Sequence, residues 1–117
     1  YEVMKNAYEK YHKEIFITEN GVAVKDDELR ILSIVRHLQY VYRALQENID
    51  VKGYFYWSFM DNFEWDKGFE QRFGLVEIDY NTFERKPRKS AYVYSEIAST
   101  KSISDELLQK YGLDKID

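Results

Sequence analysis

Apolar and polar positions along the chain alternate between two periods, and each change of period marks an element. Val3, Met4, Ala7 and Tyr11 recur at helical spacing, which predicts a helix ending near residue 11. The β-branched and aromatic run Glu14-Ile15-Phe16-Ile17 follows and closes on Thr18-Glu19-Asn20-Gly21, reading as a short buried strand that enters a loop. Over residues 27–47 the period becomes helical again, with Leu29, Leu32, Ile34, Val35, Leu38, Val41, Tyr42 and Leu45 on the repeat. Asp26, Asp27 and Glu28 stand at its start, where a helix dipole favours negative charge.

A second run of strand formers covers 51–58, Val51-Lys52-Gly53-Tyr54-Phe55-Tyr56-Trp57-Ser58. Residues 75–80 and 83–85 flank Asn81-Thr82 as a predicted hairpin, and Pro87 suits the first turn of a helix over 88–98. Ser104 as N-cap and Gly112 as stop bound a last helix over 105–111.

Helix, strand, helix, strand is an α/β order, with a parallel pair joined by a crossover whose hand follows the general rule. Two such strands leave both sheet edges unpaired, so further sheet is expected from outside the chain, without which self-pairing or aggregation is expected. Repeats, low-complexity tracts and linker-like stretches are absent, so residues 1–117 read as one portion of a single domain with no internal boundary.

Composition narrows the function classes. The chain is 44% hydrophobic and 17% aromatic over 117 residues, too apolar for disorder. A net charge of −4 supplies no field for phosphates, which argues against nucleic acid as a partner. Apolar stretches such as 15–17 and 51–59 fall short of the roughly 20 residues that span a bilayer, so no membrane partner is expected. With no cysteine, disulfides, thiol catalysis and thiolate metal sites are excluded, and two distant histidines give little basis for a zinc site. The first ten residues lack the basic and apolar regions of a signal peptide and an initiating methionine, so the start is expected to be cut and the location cytoplasmic.

Catalytic groups of parallel α/β architectures gather where strands run out at the carboxyl end of the sheet. Glu19 has that position, and a glutamate there serves as nucleophile, general base, metal ligand or backbone cap. The exit of the second strand reads Trp57-Ser58-Phe59-Met60-Asp61-Asn62-Phe63-Glu64-Trp65, alternating large aromatics with hydrogen-bonding groups. Sugars match that mixture, since a pyranose lays its C–H face on a ring while its hydroxyls meet carboxylates and an indole N–H. Trp57 and Trp65 also suit ordinary core packing. Glu64 between Phe63 and Trp65 fits a core badly, because a carboxylate buried among rings costs several kcal/mol to desolvate without a partner.

Ile17-Thr18-Glu19-Asn20-Gly21, Gly53-Tyr54-Phe55-Tyr56-Trp57-Ser58, Asp61-Asn62-Phe63-Glu64-Trp65, Arg72-Phe73-Gly74-Leu75, Asp79-Tyr80 and Lys89-Ser90-Ala91 occur here in order. They resemble the closing portion of the β-glycosidases of glycoside hydrolase family one, most of all those of heat-loving archaea, and the likeness runs over nearly the whole chain. A charge content of 32% agrees with a thermophilic source. The resemblance implies a (β/α)8 TIM barrel, to which this chain contributes strands seven and eight with their helices and a β-hairpin. It gives Glu19 the role of nucleophile in a retaining mechanism, Trp57 that of platform under the glycone ring, Glu64 the grip on its O4 and O6 hydroxyls, Trp65 the donor to O3, and Phe73 the flank of the O6 edge. No cofactor and no metal is implied. The implied substrate is a β-linked oligosaccharide or an aryl or alkyl glycoside, unphosphorylated because Glu64 stands where relatives that take 6-phosphorylated sugars bind phosphate.

One departure matters. The family's acid/base glutamate lies in an Asn-Glu-Pro tripeptide, which this sequence lacks. The chain is therefore expected to need the N-terminal portion of the same enzyme and to be inactive alone; a sugar-binding module and a structural half-barrel are the competing classes. His12 and His37 read as surface or packing histidines, Asp61 as a residue that orients the turn before Glu64 or bonds backbone, and Arg85-Lys86-Pro87-Arg88-Lys89 as a solvated edge without function.

Overall fold

The structure, a computed structural model, describes residues 1–115. Its elements run α1 (Glu2–Tyr11), β1 (Ile15–Asn20), α2 (Asp27–Gln46), β2 (Val51–Tyr56), a single 3₁₀ turn (Trp65–Lys67), β3 (Val76–Ile78), β4 (Arg85–Pro87), α3 (Lys89–Thr100) and α4 (Asp105–Lys110). β1 and β2 pair in parallel, Ile15 opposite Val51 and Phe16 opposite Gly53, while β3 and β4 form an antiparallel hairpin. No helix among the described residues is long and apolar enough to cross a membrane.

Local chemistry accounts for the boundaries. The Asp26 carboxylate accepts the Glu28 amide at 2.9 Å and starts α2, and the Ser104 hydroxyl accepts the Leu107 amide at 3.2 Å and starts α4. Gly112 ends that last helical stretch with φ +60°.

Two apolar clusters hold the elements. Ile31 and Val35 of α2 meet Ile97 of α3 and Leu108 of α4. Ala44, Ile49 and Val51 form the second cluster with Met4 and Tyr8 of α1. The apolar stripe of α1 thus differs from the predicted one: Met4 and Tyr8 pack, whereas Val3 is 81% and Tyr11 60% exposed. Only one flank of this helix has a neighbour within the described residues.

The hairpin is also displaced from its predicted register. The Asp79 carboxylate accepts the amides of Asn81 and Thr82, and Phe83 takes a left-handed φ of 60°, so the turn widens and the return strand starts at Arg85 rather than at Phe83. Pro87 ends that strand instead of opening α3, whose N-cap is Arg88. An edge strand tolerates proline because one face of its ladder is unpaired.

On the two-stranded sheet, Phe16 and Phe55 are more than half exposed, with Gly53 opposite Phe16. This face is uncovered by any described element.

Candidate active site

The pocket is assembled at the exits of β1 and β2. Along β1, Ile17 pairs with Tyr54 but Asn20 pairs with Tyr56, so three steps on β1 face two on β2. The extra residue breaks strict alternation, and Thr18 and Glu19 are both exposed. Asn20 fixes the rim on both sides. Its carbonyl accepts the Trp57 amide at 3.0 Å and its Oδ1 accepts the Tyr54 hydroxyl at 2.8 Å. Burial, and then the neighbouring Tyr94 and Tyr56 phenols, push the Tyr54 hydroxyl well above its ordinary range, so it remains a donor. Gly21 follows, packed so closely on the Trp57 carbonyl that a methyl group there would have no space.

Beyond β2 the chain passes through a cis Trp57–Ser58 peptide and then runs beside residues 73–76. The Ser58 amide donates to the Phe73 carbonyl, the Leu75 amide to Ser58, the Val76 amide to Phe59 and the Asp61 amide to Val76. Phe73 is held twice, since its carbonyl also accepts the Tyr56 hydroxyl at 3.0 Å. Between these paired runs the loop over 62–71 bulges outward. Its inner turn is closed by the Glu64 amide donating to the Gly68 carbonyl at 2.7 Å, with Trp65 at φ 47°.

Glu19, Gly21, Trp57, Glu64, Trp65 and Phe73 line one cavity of about 410 Å³. The five residues singled out in the sequence thus come together from three separate stretches of chain. Glu64 is half-buried and is not enclosed by its neighbouring rings, since Phe63 is 56% and Trp65 80% exposed. Phe63 packs instead on Phe69, with ring centroids 5.4 Å apart, and Phe69 on Tyr80 at 4.5 Å. Trp57 is 37% exposed, enough to offer a ring face while its backbone is fixed by Asn20.

Beneath the cavity lies a charged knot that the sequence discloses only in part. Asp61 is 3% exposed, and its two carboxylate oxygens accept from Arg88 at 2.9 and 3.1 Å, Arg72 at 3.1 Å and the Gly74 amide at 2.9 Å. Burial works to raise its pKa, but the Arg88 bond, the Gly74 amide and Arg72 outweigh this and hold the carboxyl below its ordinary range. Arg88 therefore departs from the expected solvated edge; Arg85 and Lys86 conform to it. A second buried guanidinium, Arg30 of α2, bonds the carbonyls of Val24 and Arg72 and pairs with Asp27 at 2.6 Å. Asp27 in turn accepts the Ser90 amide and hydroxyl at the start of α3. His37 is exposed on α2 against the Ser33 carbonyl, and His12 ends α1 in the left-handed region, both outside the pocket. Among the described residues no cluster of His, Cys, Asp and Glu is arranged to hold a metal ion.

A pocket of this make-up has relatives. The chain is 44% identical over 107 residues to the β-galactosidase of Saccharolobus solfataricus, an alignment covering 92% of this chain and 22% of that protein. It is 45% identical over 106 residues to the 6-phospho-β-galactosidase of Staphylococcus haemolyticus, covering 82% and 22%. Superposed on the solved β-glycosidase from Pyrococcus horikoshii, it reaches a TM-score of 0.92 at 61% identity over 96% of this chain and 26% of that one. The chain thus spans about a quarter of the length of these relatives. Residues 1–103 match the family model described as Glycosyl hydrolase family 1, and the chain belongs to that family.

Proposed function

We propose that this chain supplies the nucleophile and the glycone-binding wall of a retaining β-glycosidase that hydrolyses terminal, unphosphorylated β-D-glucosides or β-D-galactosides. The observation that carries this reading is the convergence of Glu19, Trp57, Glu64, Trp65 and Phe73 on one cavity. In the barrel that the family implies, β1 and β2 are strands seven and eight, and residues 1–117 are part of one domain. The exposed face bearing Phe16 and Phe55 is what the preceding strands would cover.

The chemistry follows from the carboxylates. Glu19 attacks the anomeric carbon as the glycosidic oxygen leaves, forming a glycosyl ester; water then displaces the carboxylate and restores the original anomeric configuration. A second carboxyl group about 5 to 5.5 Å away protonates the leaving oxygen and later takes the proton from water. The N-terminal portion of the enzyme supplies that group. Trp57 lies under the ring, the sugar's O4 and O6 hydroxyls donate to Glu64, the Trp65 indole N–H donates to O3, and Phe73 closes the O6 edge.

Phosphorylated sugars are the main competitor, given the staphylococcal relative's name. The wall contains two carboxylates, two indoles and a phenyl ring. A phosphate dianion beside Glu64 meets like charge, whereas a free hydroxyl finds an acceptor.

The test uses the full-length polypeptide that carries this segment. Turnover of aryl β-glucosides and β-galactosides, little turnover of their 6-phospho forms, and a loss of at least about 10³-fold in kcat for Glu19→Gln are expected. Unchanged turnover by that variant, or a preference for the 6-phospho substrates, overturns the reading.

A further inference from the structure

Two of the stretches that line the cavity, one carrying Glu64 and Trp65 and the other carrying Phe73, are separated by the loop over 66–72, and covalent structure alone leaves them free to move apart. Backbone bonds between residues 58–61 and 73–76 join them at their base, and the Asp61 side chain adds the polar link nearest to Glu64. It lies three residues before Glu64, and it accepts the amide of Gly74, next to Phe73, at 2.9 Å. Arg88 closes the link from beneath: one guanidinium bonds both Asp61 oxygens and also donates to the Gly74 carbonyl at 2.7 Å. Gly74 is thus gripped at its amide and at its carbonyl by the same ion pair. The two backbones touch here as well, for a Cβ on Gly74 would lie 2.2 Å from the Asp61 amide nitrogen.

Arg72 extends the knot to the third stretch. Its guanidinium bonds Asp61 and the Ile78 carbonyl, while its own carbonyl accepts Arg30 at 2.7 Å and the Val24 amide at 3.2 Å, three residues beyond Gly21. The donors to Asp61 thus come from both sides of Phe73, at Arg72 and Gly74, from the Ile78 amide of β3 and from Arg88 at the start of α3.

We propose that Asp61 is a positioning residue for sugar recognition: through Arg88, Arg72 and the Gly74 amide it sets the distance between Glu64 and Phe73, and with it the discrimination among glycones. The proposal rests on the glycosidase reading above. Glu19 is carried by β1 and its own contacts with β2, so displacement of the Glu64 stretch changes how the sugar is held more than how the bond is broken. Because Glu64 and Phe73 meet the O4 and O6 edge of the ring in that reading, C4 epimers feel the change unequally.

Two variants of the full-length enzyme test this. Asp61→Asn keeps the shape and removes the charge. Arg72→Met leaves Asp61 paired to Arg88 and serves if the first does not fold. With both assayed well below their melting temperatures, KM for aryl β-glucoside is expected to rise about tenfold while kcat stays within about twofold. The ratio of kcat/KM for glucoside over galactoside is expected to shift by at least about threefold, a readout that loss of stability does not move. A lowered melting temperature with unchanged KM and unchanged sugar ratio overturns the proposal. So does a fall in kcat with KM unaltered. A wild-type enzyme without turnover overturns the glycosidase reading itself, and this proposal with it.

Discussion

Gly21→Ala isolates how closely the two strand exits must approach. The added methyl carbon would lie 1.7 Å from the Trp57 carbonyl oxygen, 2.8 Å from its carbonyl carbon and 3.4 Å from its Cα, where ordinary contact begins at 3.4 Å. All three are backbone atoms, so no side chain can swing aside. The exits must separate by an amount on the order of 1 Å or more, and the 3.0 Å bond from the Trp57 amide to Asn20 is the contact that yields. Overpacking of this kind costs about 1–3 kcal/mol of stability. Activity is expected to fall further, because Glu19 and Trp57 are carried by the parts that move: a misplacement of about 1 Å costs roughly 10²-fold in rate, equivalent to ~2.7 kcal/mol of transition-state stabilisation. The assay is kcat/KM on an aryl β-glucoside, paired with thermal melting by circular dichroism. Gly112→Ala is the control, since its φ of +60° brings strain of ~1–2 kcal/mol but a Cβ there meets nothing within 4 Å, so activity should hold. A Gly21→Ala enzyme within about threefold of wild type refutes the reasoning, as does a loss that tracks only the unfolded fraction.

Three further outcomes are expected. Asp27 and Asp61 both have carboxyls held below the ordinary value of 3.8 against the effect of burial, Asp27 by Ser90 and Arg30 and Asp61 by Arg88, Gly74 and Arg72. The unfolded chain therefore binds more protons than the folded one in acid, so their contribution is complete above pH 3.8 and is lost as pH falls below it; urea midpoints at pH 6 and pH 3 should differ less in Asp61→Asn than in wild type. Ser104→Ala removes the cap of α4 and should cost ~1 kcal/mol in a denaturant titration, a value near zero showing that the apolar contacts of Leu107 and Leu108 hold α4 without it. Ile31→Ala empties a fully buried position between α2, α3 and α4 and should cost ~2–5 kcal/mol, while Leu29→Ala, 52% exposed on the same helix, should cost far less.

The sequence discloses this fold wherever the determinant is local. Apolar periodicity in α2, β-branched density in β1 and β2, and the caps Asp26 and Ser104 each act within a few residues, and each element stands close to its predicted place. Boundaries fail where a side chain rearranges the backbone. Asp79 widens the hairpin by accepting two amides, which hydrophobic pattern does not encode, and α1 exposes Val3 because which flank meets a neighbour is a tertiary fact. The pocket residues were legible because motif order carried them, not because their types compel a sugar site. Their supports were not. Arg88 reads as one of four basic residues around a proline, and nothing local says that it turns inward to Asp61, 27 positions earlier. Arg30 sits in a helix whose remaining pattern is amphipathic and meets a carbonyl 42 positions away.

Arg30 shows why such residues are better understood as geometry than as stability. Its side chain is wholly buried, has one carboxylate partner in Asp27, and leaves its Nε without a hydrogen bond among the described residues. A buried guanidinium so incompletely matched carries a desolvation cost that one ion pair does not clearly repay, and apolar residues of similar volume often stabilise as well or better. What an apolar side chain cannot do is bind two carbonyl oxygens. By gripping Val24 and Arg72 at once, Arg30 fastens the loop after Glu19 to the loop before Phe73, while Asp27 passes the same fastening to Ser90 and the start of α3. The apolar cluster around Ile31 holds α2, α3 and α4 together and that around Ala44 holds α1 and α2 to the parallel strands, but neither contains a pocket residue. The apolar clusters thus hold the elements together, while the polar set fastens to one another the loops that carry the pocket residues.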